Sequence, residues 1–259
     1  MRVRGRPISQ GKARGEVLKL KGDLSFLGGV DGTTGELRTE EGGNVAGRIL
    51  VFPKGKGSTV GSFTMYDLKV HGKQPAAIIN ASAETIVATG AVISSIPMID
   101  LIDTDLLRTG DDVTVDGTNG IAEINNVRMI SSVSSVILSG DKILMLRRPD
   151  TASSFPGVWS LVAGKIEESE GVNEAAVREI YEETKIRVSS PAASLDPMYV
   201  RDRNIIWKVH PMLFLHDGKE VRLNDENMEY KWIMPEETER TDTVPGTVTA
   251  VRQLISKIR

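Results

Sequence analysis

GKIEESEGVNEAAVREIYEETKI, residues 164–186, decides the reading of the second half of this chain. Seven of these residues are glutamates. The spacing predicts a helix over Asn173–Lys185, with Asn173 as its N-cap. Glu179 and Glu182 stand three apart, and Glu179 and Glu183 four apart. Those intervals put three carboxylates on one side of a helix. Like charges so placed destabilise by a few tenths of a kcal/mol per pair, about 0.2–0.5. A solvated face is the ordinary explanation of a charge run. A hard divalent cation is the other, because it would remove the repulsion while sharing its shell with phosphate oxygens. Ala176, Val177, Ile180 and Thr184 supply the face for packing.

The segment resembles the Nudix box: Gly, five residues, Glu, seven residues, Arg-Glu, an aliphatic, any residue, Glu-Glu, any residue, Gly, an aliphatic. Gly164, Glu170, Arg178, Glu179, Ile180, Glu182, Glu183 and Ile186 meet it. Lys185 stands where the family prefers glycine, a departure that touches the helix cap more than the chemistry. LMLRR before the box, FPGVWSLVAGK leading into it and EYKWIMPEE after it also look like the family, over about 131–259. The resemblance implies Mg²⁺- or Mn²⁺-dependent hydrolysis of a diphosphate bond in a small molecule. It implies that Glu179, Glu182 and Glu183 hold the metal. Gly164 would let the backbone approach, and Glu182 or Glu183 would help deprotonate water. Glu170 and Arg178 would form a bracing pair. Arg147 and Arg148 are candidates for phosphate contact. As neighbours on a strand they point to opposite faces, so one of them is equally well a surface cation. Glu229 is a further base or metal contact, or a solvated strand end. The tryptophans, Tyr199 and Tyr230 are core residues or stacking platforms for a base. Pro191 and Pro197 come too early for the ADP-ribose-preferring members, so that substrate is not assigned.

Outward from the box, the composition changes near residue 127. Of 25 glycines, 19 precede residue 128. They punctuate short apolar runs such as VAGRILVFP (Val45–Pro53), PAAIINAS (Pro75–Ser82) and ETIVATGAVISSIPMID (Glu84–Asp100). Asp111–Ile124 reads as a hairpin with its turn at Asp116–Gly120. One helix is expected around Ser62–His71. We therefore expect two α/β domains, 1–127 and 128–259, with a short polar joint at Asn125–Arg128. In the second, Ser131–Arg148 gives two strands about a Ser139–Asp141 turn. Asn204–His216 and Glu229–Pro235 read as strands, and the C-terminal stretch as a helix.

GKGSTVGSF (Gly55–Phe63) follows the strand ILVFP. A strand, a glycine-rich turn and a helix offer backbone N–H groups to an anion, although a plain tight turn explains the loop equally well. The order of residues is not that of a P-loop. With GRPISQGKARGEVL, LSFLGGVDGTTGEL and ATGAVISSIPMID, the loop resembles the swivel domain of the aconitase X group. More narrowly it is similar to the small subunits of phosphomevalonate dehydratases, over about 1–127. That resemblance implies a β/β/α swivel fold that closes over a large subunit carrying an iron–sulfur cluster. Ser58 would be the catalytic base, with Ser62 the second choice and a turn hydroxyl the alternative. Thr59 and the loop amides would bind carboxylate or phosphate. Gly28, Gly29 and Asp31 would shape a second loop. The Nudix resemblance implies an α/β/α sandwich around a mixed sheet.

Composition narrows the classes further. The chain has no cysteine, so it cannot hold an iron–sulfur cluster or a disulfide, and dehydration would need a separate large chain. The 32 basic and 35 acidic residues are spread over both halves, which argues against a nucleic-acid platform. No run of about 18 apolar residues predicts a membrane span, and the N-terminus does not read as a leader, so a cytoplasmic protein is expected. The leading expectation is a Nudix hydrolase acting on a nucleoside diphosphate-linked or related compound. The alternative is a dehydratase small subunit with an accessory or regulatory Nudix half. A third reading makes both halves binding modules.

Overall fold

The computed structural model describes residues 1–218 and 220–258. The chain forms two compact units, Met1–Val127 and Arg128–Arg259. Among the described residues no helix is long and apolar enough to cross a membrane.

The first unit is built on eight strands: β1 (Arg2–Arg4), β2 (Arg6–Ser9), β3 (Lys12–Lys19), β4 (Ile49–Lys54), β5 (Ala77–Ser82), β6 (Met98–Asp100), β7 (Asp112–Asp116) and β8 (Ile121–Ile124). They order as β1-β8-β7-β3-β4-β5-β6-β2. The two edge strands are consecutive in the chain, joined through Gly5 alone, so the sheet curls until its edges approach. A Cβ at Gly5 would stand 2.1 Å from the Asp100 carbonyl oxygen, which only glycine avoids. Strands β3 to β6 are parallel. Their apolar runs are buried on both faces, as parallel strands require. Leu50, Phe52 and Ile78 pack with Met65, Leu68, Val87 and Ala91 of the helices α2 (Val60–Val70) and α3 (Thr85–Ile93). A one-turn element, α1 (Phe26–Gly29), precedes them.

Helix α3 lies in a run that reads from sequence as one more short apolar segment. Its start is fixed by Glu84, whose carboxylate accepts the Ile86 N–H at 2.9 Å. Gly90 lets it close on α2, since a Cβ there would meet Met65 Sδ at 2.3 Å. Asp100 is fully buried at the end of β6. It accepts both Arg6 Nε and Nη2, at 3.0 and 2.7 Å, and the Ala83 N–H at 2.8 Å. Burial alone would raise this carboxyl, but the guanidinium and the amide together hold it below its ordinary range.

The second unit holds β9 (Arg128–Ser139), β10 (Lys142–Arg147), β11 (Trp159–Ser160), β12 (Val162–Lys165), α4 (Val172–Thr184), β13 (Ala193–Ser194), β14 (Met198–Asp202), β15 (Ile205–Leu215), β16 (Glu229–Ile233) and α5 (Thr247–Ser256). The sheet is mixed, with β9 and β15 parallel over their whole length. Alternate residues feed two cores. Val133, Ile137, Met212 and Phe214 pack on Ala175, Ala176 and Ile180 of α4. Val136 and Leu213 pack on Val251, Leu254 and Ile255 of α5. The period of two thus buries both faces of the sheet between helices. Pro211 sits inside β15 between Val209, which pairs with Met198 of β14, and Met212, which pairs with Ser194 of β13. A missing N–H costs least at such a change of partner.

Candidate functional site

The N-cap of helix α4 stands two residues before the one expected from sequence. Gly171 is the N-cap, and Glu174 reaches back to accept the Gly171 N–H at 2.9 Å, so Asn173 falls inside the first turn. The far end terminates with Lys185 in the left-handed region, φ 60°.

Between these ends the helix presents its acidic side to the sheet at Gly164. A Cβ on Gly164 would stand 1.8 Å from the Glu179 carboxylate, so glycine is the residue that lets α4 and β12 meet here. Arg178 holds the group together. It makes two bonds to Glu170, at 2.8 and 2.9 Å, one to Glu179 at 2.8 Å and one to Glu182 at 3.1 Å. A fifth runs to the Lys165 carbonyl at 3.0 Å. This bonding pulls Glu170 down to about 2, with the Arg178 bond the main cause. The Glu170–Arg178 brace expected from sequence is thus formed, and the same arginine also holds two of the other carboxylates.

Glu183 is 5% exposed, and burial pushes its carboxyl up to about 8, with the nearby Glu179 charge adding to the rise. It keeps one bond, from Asn227 Nδ2 at 3.1 Å. Burial raises Glu179 as well. Glu226 adds negative potential at both sites. The donors are all carboxylate oxygens, the set a hard divalent cation prefers. Among the described residues no three acidic or histidine side chains are gathered tightly enough to hold a cation as they stand. Glu179 and Glu182 would have to turn from Arg178 to do so.

Gly164, Arg178, Glu179, Glu182, Arg148 and Glu226 border one cavity of about 570 Å³. Arg148 reaches it with Nε donating to the Ser154 carbonyl at 2.9 Å. Arg147 does not line it. It pairs with Glu229 at 2.8 Å, its cross-strand partner on β16, so both lie outside the cavity lining. Glu226, three residues before Glu229, is the acidic residue of that segment that reaches the cavity. The signal available in sequence was the polar turn NDEN (224–227), which reads as a loop. Trp159 and Trp232 pack against the two cores, whereas Trp207 lines the cavity. Tyr199 and Tyr230 are exposed.

In the first unit Ser58 and Thr59 are exposed in the turn that opens α2. Ser58 Oγ accepts the Val60 N–H at 3.3 Å, while Ser62 is buried and donates to the Thr59 carbonyl at 2.8 Å. A second loop lies against this turn: a Cβ on Gly57 would meet Ser25 Oγ at 2.6 Å. Asp31 caps that second loop. It accepts the Thr33 and Thr34 N–H groups, each at 2.9 Å, and pairs with Arg38. The amides hold its carboxyl down at about 2.

The aconitase X swivel domain model matches residues 2–124, and the NUDIX domain model matches residues 129–254. The phosphomevalonate dehydratase small subunit of Thermococcus kodakarensis is 55% identical over 128 residues, which cover 48% of this chain and 96% of that protein. The crystal structure of Thermococcus kodakaraensis aconitase X in its holo form aligns at 53% identity, covering 48% of this chain and 98% of that one, with a TM-score of 0.47. The crystal structure of a MutT protein from Methanosarcina mazei aligns at 24% identity, covering 52% of this chain and 99% of that one, with a TM-score of 0.46. The chain therefore belongs to the aconitase X swivel family through its first unit and carries a NUDIX domain as its second.

Proposed function

We propose that the second unit hydrolyses a diphosphate bond in a small molecule with Mg²⁺ or Mn²⁺. The observation that supports this reading best is the wall of carboxylates, Glu179, Glu182 and Glu226, bordering a cavity beside Gly164, with Glu183 behind them. Glu179, Glu182 and Glu183 are the residues that would hold the cation. When bound, the cation supplies charge neutralisation of the diphosphate and a more acidic water. This chain's own residues do the rest. Arg148 neutralises a phosphate oxygen at the cavity rim. Glu182, about half exposed, accepts the proton of the attacking water. Glu170 keeps Arg178 aligned when the other carboxylates leave it. The water's oxygen bonds to phosphorus as the bridging oxygen leaves with its electron pair, giving two phosphate-bearing products. With Mn²⁺ present, wild-type protein should release phosphate or a monophosphate from at least one compound in a panel of diphosphates. Glu182→Gln should lower kcat at least about 100-fold. No turnover across nucleoside and prenyl diphosphates would sink the reading.

A second reading is supported by the first unit, in which Leu27, Val60 and Phe63 are exposed beside Ser58. Leu27 neighbours Gly61, so these side chains border the turn that carries Ser58. An apolar rim around an exposed hydroxyl suits a face that another chain covers. In this reading the partner is a large aconitase X-type subunit that brings the iron–sulfur cluster, since this chain has no cysteine. Ser58 acts as base and Thr59 contacts the substrate anion. Anaerobic co-purification with such a large chain tests it. Phe63→Asp should abolish capture, and Ser58→Ala should abolish dehydration while capture persists.

A further inference from the structure

The last four carbonyls of a helix have no partner within it, and each must be met from elsewhere. In α4 those of Tyr181 and Glu182 are met by Lys185, through its N–H at 2.9 Å and its Nζ at 3.3 Å. The other two are met from a segment far along the chain. The Arg222 N–H donates to the Thr184 carbonyl at 3.0 Å, and the Asn224 N–H to the Glu183 carbonyl at 3.3 Å. The stretch that carries NDEN, 224–227, is thus fastened to the helix end that bears Glu183.

The turn then closes on itself and on that carboxylate. Asn224 Oδ1 accepts the Glu226 N–H at 3.2 Å, a bond that asparagine makes readily to the backbone two residues on. It also accepts Asn227 Nδ2 at 3.4 Å, and the same Nδ2 donates to Glu183 Oε2 at 3.1 Å. A side-chain amide nitrogen has two hydrogens to give. Asn227 spends one on the turn and one on the buried carboxylate.

The three carboxylates that would hold the cation are not held alike. Glu179 and Glu182 are bonded to Arg178, so a cation would have to displace a guanidinium from each. Glu183 is bonded to a neutral amide, on one oxygen, and no other hydrogen bond reaches its carboxylate among the described residues. A carboxylate has about four lone-pair sites. Glu183 can therefore keep Asn227 on Oε2 and offer Oε1 to the ion. A neutral donor does not repel an incoming cation as a guanidinium does. Glu183 is also 5% exposed, so neighbouring groups rather than water set its orientation.

We propose that Asn227 is a positioning residue of the metal site: by holding Glu183 Oε2 it aims the carboxylate at the cation without competing for it. The inference rests on the hydrolase reading for the identity of the metal ligands. Asn227 itself acts only through Glu183. Hydrogen-bond partners of metal ligands are worth about 10- to 100-fold in affinity. The alternative role is structural, with Asn227 doing no more than pinning the 222–227 segment to α4.

The test titrates Mn²⁺ into the full chain by calorimetry, with no substrate present. Asn227→Leu keeps the volume and removes the donor, and should weaken Mn²⁺ binding about 10-fold or more. Asn227→Gln keeps the amide on a longer arm and should bind Mn²⁺ more tightly than Asn227→Leu. Circular dichroism checks that each variant is folded, and Asn227→Ala replaces the leucine variant should that one not fold. Hydrolysis of a diphosphate that wild type turns over supplies a second readout. Asn227→Leu should be slow at limiting Mn²⁺, yet at saturating Mn²⁺ its kcat should return to within about threefold of wild type. A residue that only pinned the segment would lower kcat at saturating Mn²⁺ as well. An affinity for Mn²⁺ within about twofold of wild type in the donor-less variant overturns the proposal. So does a loss that neither Asn227→Gln nor saturating Mn²⁺ recovers. If no diphosphate is hydrolysed but Mn²⁺ affinity falls in the order wild type, Asn227→Gln, Asn227→Leu, the hydrolase reading fails and this inference stands. If wild type binds no Mn²⁺, both fail.

Discussion

Glu183 shows how one buried carboxylate ties the site to stability. In the metal-free protein its carboxyl rises from an ordinary 4.5 to about 8, through burial first and then the Glu179 charge. Between those values the native chain keeps a proton that the unfolded chain releases. Stability is then highest at the acid end and falls as pH rises through the window. Glu170 works in the opposite sense at lower pH. Its carboxyl is held near 2, so its contribution is present above about 4.5 and is lost as pH falls toward 2. With EDTA present, the unfolding temperature of this unit should therefore decline from about pH 5 to about pH 8. Glu183→Gln should flatten that decline. An equally steep decline in both proteins would refute the assignment. Added Mn²⁺ should raise the wild-type unfolding temperature more at pH 8 than at pH 6, because a site that must release a proton binds better once the proton is gone.

At the scale of the element, the end of α4 carries a strain that sequence alone flags. Lys185 occupies the left-handed cap position, φ 60°, where the Nudix pattern prefers glycine. For a side chain with a Cβ this conformation costs roughly 1–2 kcal/mol. Glycine removes that cost but adds unfolded-state entropy. Lys185→Gly should thus stabilise the unit by about 0.5–1 kcal/mol, seen as a higher urea midpoint for its transition. A lower midpoint would mean that the Lys185 contacts, with the Tyr181 ring and the Glu182 carbonyl, outweigh the strain. The same helix shows what was legible. Its carboxylates and its packing face followed from spacing, and its Glu170–Arg178 pair from the resemblance to the Nudix box. Its N-cap did not, because Gly171 caps through the Glu174 carboxylate and Asn173 is only the more familiar cap residue nearby. Arg147 and Arg148 could not be told apart until the register of β10 with β16 paired Arg147 with Glu229. Glu226 was hidden for a related reason. It lies in a loop, where no periodicity reports which way a side chain turns. Helix α3 was missed because its apolar residues are nearly continuous, and continuous runs do not separate helix from buried strand.

At the scale of the whole molecule, the two units differ in what their chemistry needs. Each has its own core, and three residues, Asn125–Val127, connect the last strand of one to the first strand of the other. The second, in the hydrolase reading, needs oxygen ligands for a divalent ion, and in that reading Glu179, Glu182 and Glu183 of this chain supply them. The first, in the dehydratase reading, needs a cluster that a chain without cysteine cannot hold, so its activity depends on a partner. The two readings are therefore separable in one molecule. In the full chain, Glu182→Gln should abolish diphosphate hydrolysis and leave capture of a cluster-bearing large chain unchanged. Phe63→Asp should do the reverse. Both variants are checked in the same preparation, by phosphate release with Mn²⁺ and by anaerobic co-purification. If Phe63→Asp also removes hydrolysis while the protein remains folded by circular dichroism, the halves are coupled, and the Nudix unit then depends on the swivel unit for more than a tether. If Glu182→Gln weakens capture, the dependence runs the other way, and the accessory role of the Nudix half becomes a direct one in assembling the dehydratase.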